Sequence, residues 1–208
     1  MISINDYLQD PCKALSIPYW KAKEITIPNN MKIVHDSIYL SGDYSQYADE
    51  PYFRLRHDLK NIGTTTLPEG YSLYPAKLHE FALHIQSCYD DIGLTLEEIQ
   101  HYTKRRVYDP SLWLAVVDNR SGEIAASGIG ELDPECQEGV LEWIQISQEH
   151  RRKGLGTFIV TELLHRMKGK ASFCTVSGKR NNPMLPEALY RKCGFQGNDV
   201  WHILRQIE

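Results

Sequence analysis

Apolar residues recur at helical spacing in two places along the chain. Leu78, Phe81, Ala82, Ile85 and Cys88 follow an i, i+3, i+4, i+7 pattern, and Leu155, Ile159 and Leu163 stand four apart with Phe158 beside them. Both patterns predict amphipathic helices, the first running from Lys77 and closed by residues 90–93, the second covering about residues 157–167. Thr95-x-x-Glu98 has the form of a capping box and predicts a further short helix through Ile99 and Tyr102. Lys104-Arg-Arg106 then complements the dipole at its end, on a solvated face. Apolar runs predict strands at residues 71–74, 111–117, 123–130, 139–147 and 171–176, and Asp118-Asn-Arg-Ser-Gly122 reads as a hairpin turn. A helix over 182–192 and two short strands within 196–207 complete the series. The order is strand, helix, helix, three strands, helix, strand, helix, strand.

Residues 1–69 read differently. Prolines at positions 11, 18, 28, 51 and 68 exclude long helices, and aromatics are dense, from Tyr7, Tyr19 and Trp20 to Tyr52 and Phe53. Short strands are expected at 32–34, 37–40 and 52–57, where Phe53 and Leu55 alternate with arginines. The expectation is a β-rich extension or small lobe over 1–69, divided from a domain over 70–208 by the turn-rich stretch 64–70. Either this arm only packs against the domain, or its aromatics roof a substrate site or build a subunit contact, which would make a homodimer.

With 208 residues, 42% of them apolar, the chain can bury the core of one domain with an extension. A formal charge of −4 and a pI of about 6.1 give no global attraction to nucleic acid. No apolar run is long enough to cross a bilayer, and the start Met-Ile-Ser-Ile-Asn-Asp lacks the parts of a signal peptide, so no membrane partner is expected. The five cysteines, Cys12, Cys88, Cys136, Cys174 and Cys193, are scattered and form no Cys-x-x-Cys pair. Free thiols in a reducing cytoplasm are expected, and no metal site.

The stretch that carries chemistry lies between the strand at 139–147 and the helix that follows. Arg151-Arg-Lys-Gly-Leu-Gly156 places three basic residues and two glycines at a helix start. Glycine lets backbone N–H groups turn inward, and the first helical turn offers unpaired N–H groups and a partial positive charge. Such a loop is built to cradle a phosphate or pyrophosphate. Neither the Gly-x4-Gly-Lys-Ser/Thr nor the Gly-x-Gly-x-x-Gly pattern is present. Arg151-x-x-Gly154-x-Gly156, late in the chain and after a strand, resembles the coenzyme A pyrophosphate loop of the GNAT N-acetyltransferases. A second stretch, from Asn182 through Ala188, Leu189 and Tyr190 to Gly194-Phe195, is similar to the family's other signature, Asn…Ala-x-x-Leu-Tyr-x-Lys-x-Gly-Phe. It departs from it in two ways: the Asn-to-Tyr spacing is one residue longer, and Ala188 stands two places before Tyr190 instead of four.

The resemblance implies an α/β (α+β) GNAT fold, with a mixed, mostly antiparallel central sheet flanked by helices. It also implies an N-acetyltransferase that moves an acetyl group from acetyl-CoA to a primary amine by direct attack in a ternary complex. By the same likeness, the backbone of Arg152, Lys153, Gly154, Leu155, Gly156 and Thr157 would hold the pyrophosphate, with charge from Arg151, Arg152 and Lys153. Ile144, Gln145 and Ile146 would line the pantetheine arm, an N–H near Ile144 would face the thioester oxygen, and Asn182 would lie beside the arm. Tyr190 falls on the family's general acid; a phenol of pKa about 10 can protonate a thiolate of pKa about 8.5. The family's usual base position is Val140 here, so Glu142, two residues on and expected on the same strand face, is the candidate base; water, an N-terminal residue, or a purely structural Glu142 remain alternatives. Cys174, Cys193, His165 and His202 are read as core or surface residues. A small amine fits the acceptor better than a protein, because no acidic groove is evident. Two other readings stay open: an inactive coenzyme A-binding sensor or partner module, and a transferase of longer acyl groups.

Overall fold

The computed structural model describes residues 2–89 and 92–207. In chain order its elements are α1 (Ile4–Gln9), α2 (Pro11–Ala14), α3 (Tyr19–Glu24), β1 (Met31–His35), β2 (Tyr47–His57), β3 (Tyr71–Tyr74), α4 (Leu78–Cys88) and α5 (Leu96–Tyr102). They continue with β4 (Tyr108–Asp118), β5 (Ile124–Asp133), β6 (Glu138–Ile146), α6 (Leu155–Met167), β7 (Phe173–Lys179), α7 (Pro186–Lys192) and β8 (Gln196–Gln206). From β3 onward this is the predicted order. The chain forms two compact units, one of residues 58–174 and the other of residues 1–57 with 175–208.

The unit of residues 58–174 is built on an antiparallel meander in the order β6-β5-β4-β3. Phe81, Ala82 and Ile85 of α4 pack with Ile99 of α5 onto Ala115 and Ile129 of the sheet. On α6, Ile159, Leu163 and Met167 are fully buried. They lie where Gly128, Gly130 and Gly139 leave the sheet without side chains, and a Cβ at any of the three would collide with Ile159 or Met167. Thr95 and Glu98 form the capping box of α5: Thr95 Oγ1 accepts from the Glu98 amide at 3.2 Å, and Glu98 Oε2 accepts from the Thr95 amide at 2.7 Å. Asp90 and Asp91, expected to close α4, lie outside the described residues; the described helix ends at Cys88. The basic run after α5 is a solvated face only in part: Lys104 and Arg106 are exposed, but both arginines reach buried carboxylates. Arg105 pairs with the buried Glu131 at 2.8 Å and lies over the Tyr102 ring, and Arg106 pairs with the buried Asp133 at 2.9 Å.

In the other unit β8 pairs antiparallel with both β1 and β2, and β7 stands next to β2. Residues 37–40 are not a strand: Asp36–Ile38 is a 3-10 turn, capped by His35 Nδ1 accepting from the Ser37 amide at 3.2 Å. The two expected terminal strands are one, β8, because Gly197 at φ +124 passes the irregularity between Arg54 and Arg56 of β2 without ending the ladder. Arg54 is not the exposed partner of an alternating strand. It is 1% exposed, and its guanidinium donates to Tyr7 Oη at 2.9 Å and to the Ser16 carbonyl at 3.3 Å.

Candidate functional site

The strand that leads into the loop is bent. Gly130 of β5 faces Leu141, but Ile129 faces Trp143, so β6 carries one extra residue, Glu142. Ile129 and Glu131 share a face of β5. Their partners Trp143 and Val140 therefore share a face of β6, although they stand three apart. Glu142 is half-exposed in the bulge, and the strict alternation that grouped it with Val140 does not hold. Val140 itself is buried.

After β6 the chain makes a short 3-10 turn, Gln148–His150, and reaches two residues in the left-handed region, Arg152 at φ +61 and Gly154 at φ +88. Gly154 is the N-cap of α6, and no side chain bonds across the first turn. The first helical bond runs from the Phe158 amide to the Gly154 carbonyl at 3.0 Å. Helix geometry leaves the N–H groups of Leu155, Gly156 and Thr157 without an acceptor in the helix. Left-handed residues before such a start are the backbone pattern from which anion nests are built. Arg152 and Lys153 are exposed beside it. Arg151 is half-exposed and directed back, with Nε donating to the Ile146 carbonyl at 3.2 Å. The residues present fit a diphosphate such as that of coenzyme A.

Behind the loop lies a buried polar chain that the sequence reading missed. Gln145, 3% exposed, turns its side chain onto Ser127 Oγ of β5. His84 of α4 bridges Ser127 Oγ at 2.8 Å and Ser147 Oγ at 2.9 Å. Burial, with a smaller contribution from the charge of His150, pushes the His84 pKa down to about 4. Cys88 Sγ lies 3.7 Å from His84 Nε2; the thiol is half-exposed and its pKa is raised, mainly by burial. Next to it His150 Nδ1 meets Tyr71 Oη at 2.9 Å. The sign in sequence was a histidine on the apolar face of a helix, three residues after Phe81.

Glu142, Ile144, Gln145, Ile146 and the loop from Arg151 to Thr157 thus all belong to the unit of residues 58–174. Tyr190 and Asn182 belong to the other. Tyr190 is 7% exposed on α7, its ring 6.1 Å from that of Phe53 and 5.8 Å from that of Phe195. Its carbonyl accepts from the Cys193 and Phe195 amides, which closes the helix. Asn182 is not a helix cap with Pro183 as the first helical residue. Its Oδ1 accepts from the Met184 amide at 2.9 Å, Leu185 at φ +51 is the N-cap, and Pro186 takes the first helical position. Cys174 and Cys193 are buried, as expected of core thiols. His165 is exposed and meets the Gly63 carbonyl, whereas His202 is buried between Asp49 and Asp36.

A bulged strand, a turn with two left-handed residues and a helix start with open amides stand together in an α/β chain. The sequence model of the Acetyltransferase (GNAT) family matches residues 70–195, and the chain belongs to that family. Among solved structures, a GCN5-related N-acetyltransferase from Sphaerobacter thermophilus is similar with a TM-score of 0.68 at 17% identity, over 90% of this chain and 63% of its own. A Drosophila protein follows at a TM-score of 0.62 and 17% identity, over 80% of this chain and 54% of its own. The ribosomal-protein-S18-alanine N-acetyltransferase of Escherichia coli is similar over 66% of this chain and 94% of its own, at a TM-score of 0.51 and 15% identity. The chain thus spans less than two thirds of the first two of these structures. No curated protein matches the sequence. At these identities the structures establish the fold. Among the described residues no cluster of three or more His, Cys, Asp or Glu could hold a metal, and no helix is long and apolar enough to cross a membrane.

Proposed function

We propose that the chain is an acetyl-CoA-dependent N-acetyltransferase acting on the primary amine of a small molecule, with residues 70–208 as catalytic domain and 1–69 as an extension. The observation that carries this reading is the uncapped start of α6 behind Arg152 and Gly154, both left-handed. The amides from Arg152 to Thr157 receive the diphosphate, and Arg152 and Lys153 add charge. Arg151 holds the turn to the strand end through the Ile146 carbonyl. The backbone of Ile144, Gln145 and Ile146 lines the pantetheine arm, and Asn182 is assigned to the same arm by its place in the family's second signature. Bound acetyl-CoA supplies the activated acyl group. An N–H near Ile144 stabilises negative charge on the carbonyl oxygen, a fixed donor in place of mobile water. Glu142 in the bulge takes the proton from the attacking amine, directly or through water, and Tyr190 returns one to the departing thiolate. Direct attack gives Cys174 and Cys193 no part.

Calorimetry with coenzyme A, then thiol release from acetyl-CoA with a panel of small amines, tests this. Binding with amine-dependent release is expected; no binding would overturn the reading. The second reading, a coenzyme A-binding module without turnover, draws on Val140 at the usual base position, buried and unable to take a proton. Tight binding with no release on any amine would favour it.

A further inference from the structure

The end of β6 is held from α4 by a chain of hydrogen bonds that one tautomer of His84 satisfies throughout. Ser147 Oγ lies 3.0 Å from the Ile124 carbonyl, which can only accept, so the hydroxyl hydrogen points there. His84 Nε2, 2.9 Å from the same hydroxyl oxygen, must therefore be the donor. The imidazole is 6% exposed and neutral at physiological pH, so its other nitrogen is bare. Nδ1 accepts from Ser127 Oγ at 2.8 Å, and Ser127 Oγ in turn accepts from the Gln145 amide. The chain runs from Gln145 through Ser127 and His84 to Ser147 and the Ile124 carbonyl. A histidine that only filled space on the apolar face of α4 would need neither nitrogen engaged.

The two residues held in this way, Gln145 of β6 and Ser147 just after it, flank Ile146, whose carbonyl receives Arg151 Nε. The Ser147 amide adds a bond to the Ala125 carbonyl at 3.0 Å. Three consecutive residues immediately before the turn are thus tied by side chain or carbonyl. We propose that His84 is a positioning residue for the acetyl-CoA site, its Nε2–H tautomer clamping Gln145 to Ser147 so that the following loop leaves the strand in one orientation. This rests on the reading of that loop given above. His84 touches neither cofactor nor acceptor; it acts through Ser127 and Ser147.

Two measurements test it. Nitrogen-15 NMR of the imidazole in the intact protein at neutral pH should show the proton on Nε2 and a bare Nδ1. A proton on Nδ1, or exchange between both tautomers, would break the chain of donors and overturn the proposal. In kinetics, His84→Phe, which keeps a ring but no polar atom, should raise KM for acetyl-CoA and Kd for coenzyme A about tenfold while kcat changes less than about threefold. His84→Gln, whose amide reaches toward Ser147, should restore most of the loss. A folded His84→Phe with unchanged KM, or one in which kcat falls alone, would refute the positioning role. Should the Phe variant not fold, Ser147→Ala removes the same acceptor at a half-exposed position; a several-fold rise in KM is expected, and an unchanged KM counts against the clamp. If the wild-type protein fails to bind coenzyme A, the functional reading falls and the positioning role with it, whereas wild-type binding unaffected by His84→Phe sinks the clamp alone.

Discussion

The helices α5 and α6 begin in opposite ways. At α5 the Thr95 hydroxyl and the Glu98 carboxylate answer each other's backbone amides within four residues. At α6, Gly154 at φ +88 stands in the cap position, no side chain crosses the first turn, and exposed Arg152 and Lys153 stand in front of it. Both arrangements are legitimate ends for a helix, but only the first is complete in itself. A self-capped start contributes stability and engages its N-cap and N3 amides, leaving fewer donors for a ligand; an open start forgoes about 1 kcal/mol of capping and keeps them. The strand behind the open start is braced instead by a buried neutral imidazole.

That difference can be probed most strongly with acid. The pKa of His84 is about 4 in the folded chain against 6.5 as its ordinary value. Above pH 6.5 neither state is protonated and the group is silent. As pH falls, the unfolded chain takes up the proton first, so stability declines from about pH 6.5 to about pH 4 by about 3 kcal/mol. Denaturant melts across this window should show the decline in wild type and a flatter profile in His84→Gln; identical profiles would mean the imidazole is not held neutral. The α5 box behaves differently. The Glu98 carboxyl is held below its ordinary value chiefly by the Thr95 amide, so that cap persists until the pH drops through the depressed pKa.

Next in size, Tyr190→Phe should lower turnover about a hundredfold, with coenzyme A affinity within about threefold, because a proton donor acts on chemistry and not on diphosphate binding. Unchanged turnover would remove the phenol from the mechanism. Gly154→Val should weaken coenzyme A binding about thirtyfold by calorimetry. The cause is conformational: a Cβ there would meet Pro68 only at 3.6 Å, but a β-branched residue resists φ +88 and would turn the amides away, a loss of about 2 kcal/mol. Smallest is Thr95→Ala, which should cost about 1 kcal/mol of stability and leave coenzyme A affinity unchanged. If Gly154→Val and Thr95→Ala changed affinity alike, the contrast between the two helix starts would lose its meaning.

The parts of the fold that were legible in sequence are those fixed by local periodicity. The spacing of Phe81, Ala82 and Ile85, the Thr95–Glu98 box and the apolar runs of β4 to β6 all appear within two or three residues of their expected limits. The loop was legible because Gly154 marks a backbone conformation directly. What escaped depends on partners distant in sequence. Arg105 and Arg106 look like a solvated helix end until Glu131 and Asp133 are brought beneath them. Glu142 was grouped with Val140 by simple alternation, and a one-residue bulge leaves no mark in composition. Asn182 followed by Pro183 has the form of a helix start, yet a left-handed Leu185 and Pro186 begin the helix three residues later. His84 could be seen as an odd polar residue in an apolar stripe, but its meaning lies in Ser127 and Ser147, 43 and 63 residues away.

The five thiols offer a practical opening. Four of them are buried, and burial pushes Cys136 up to about 12 and Cys174 well above its ordinary value, so neither forms the reactive thiolate near neutrality. Burial raises the Cys88 thiol as well, but Cys88 is half-exposed at the end of α4, 3.7 Å from His84, where a reagent can reach it. A maleimide dye added to the native protein should therefore attach first at Cys88, beside His84 and the end of β6, and on the proposed function would report the arrival of coenzyme A without any engineered cysteine.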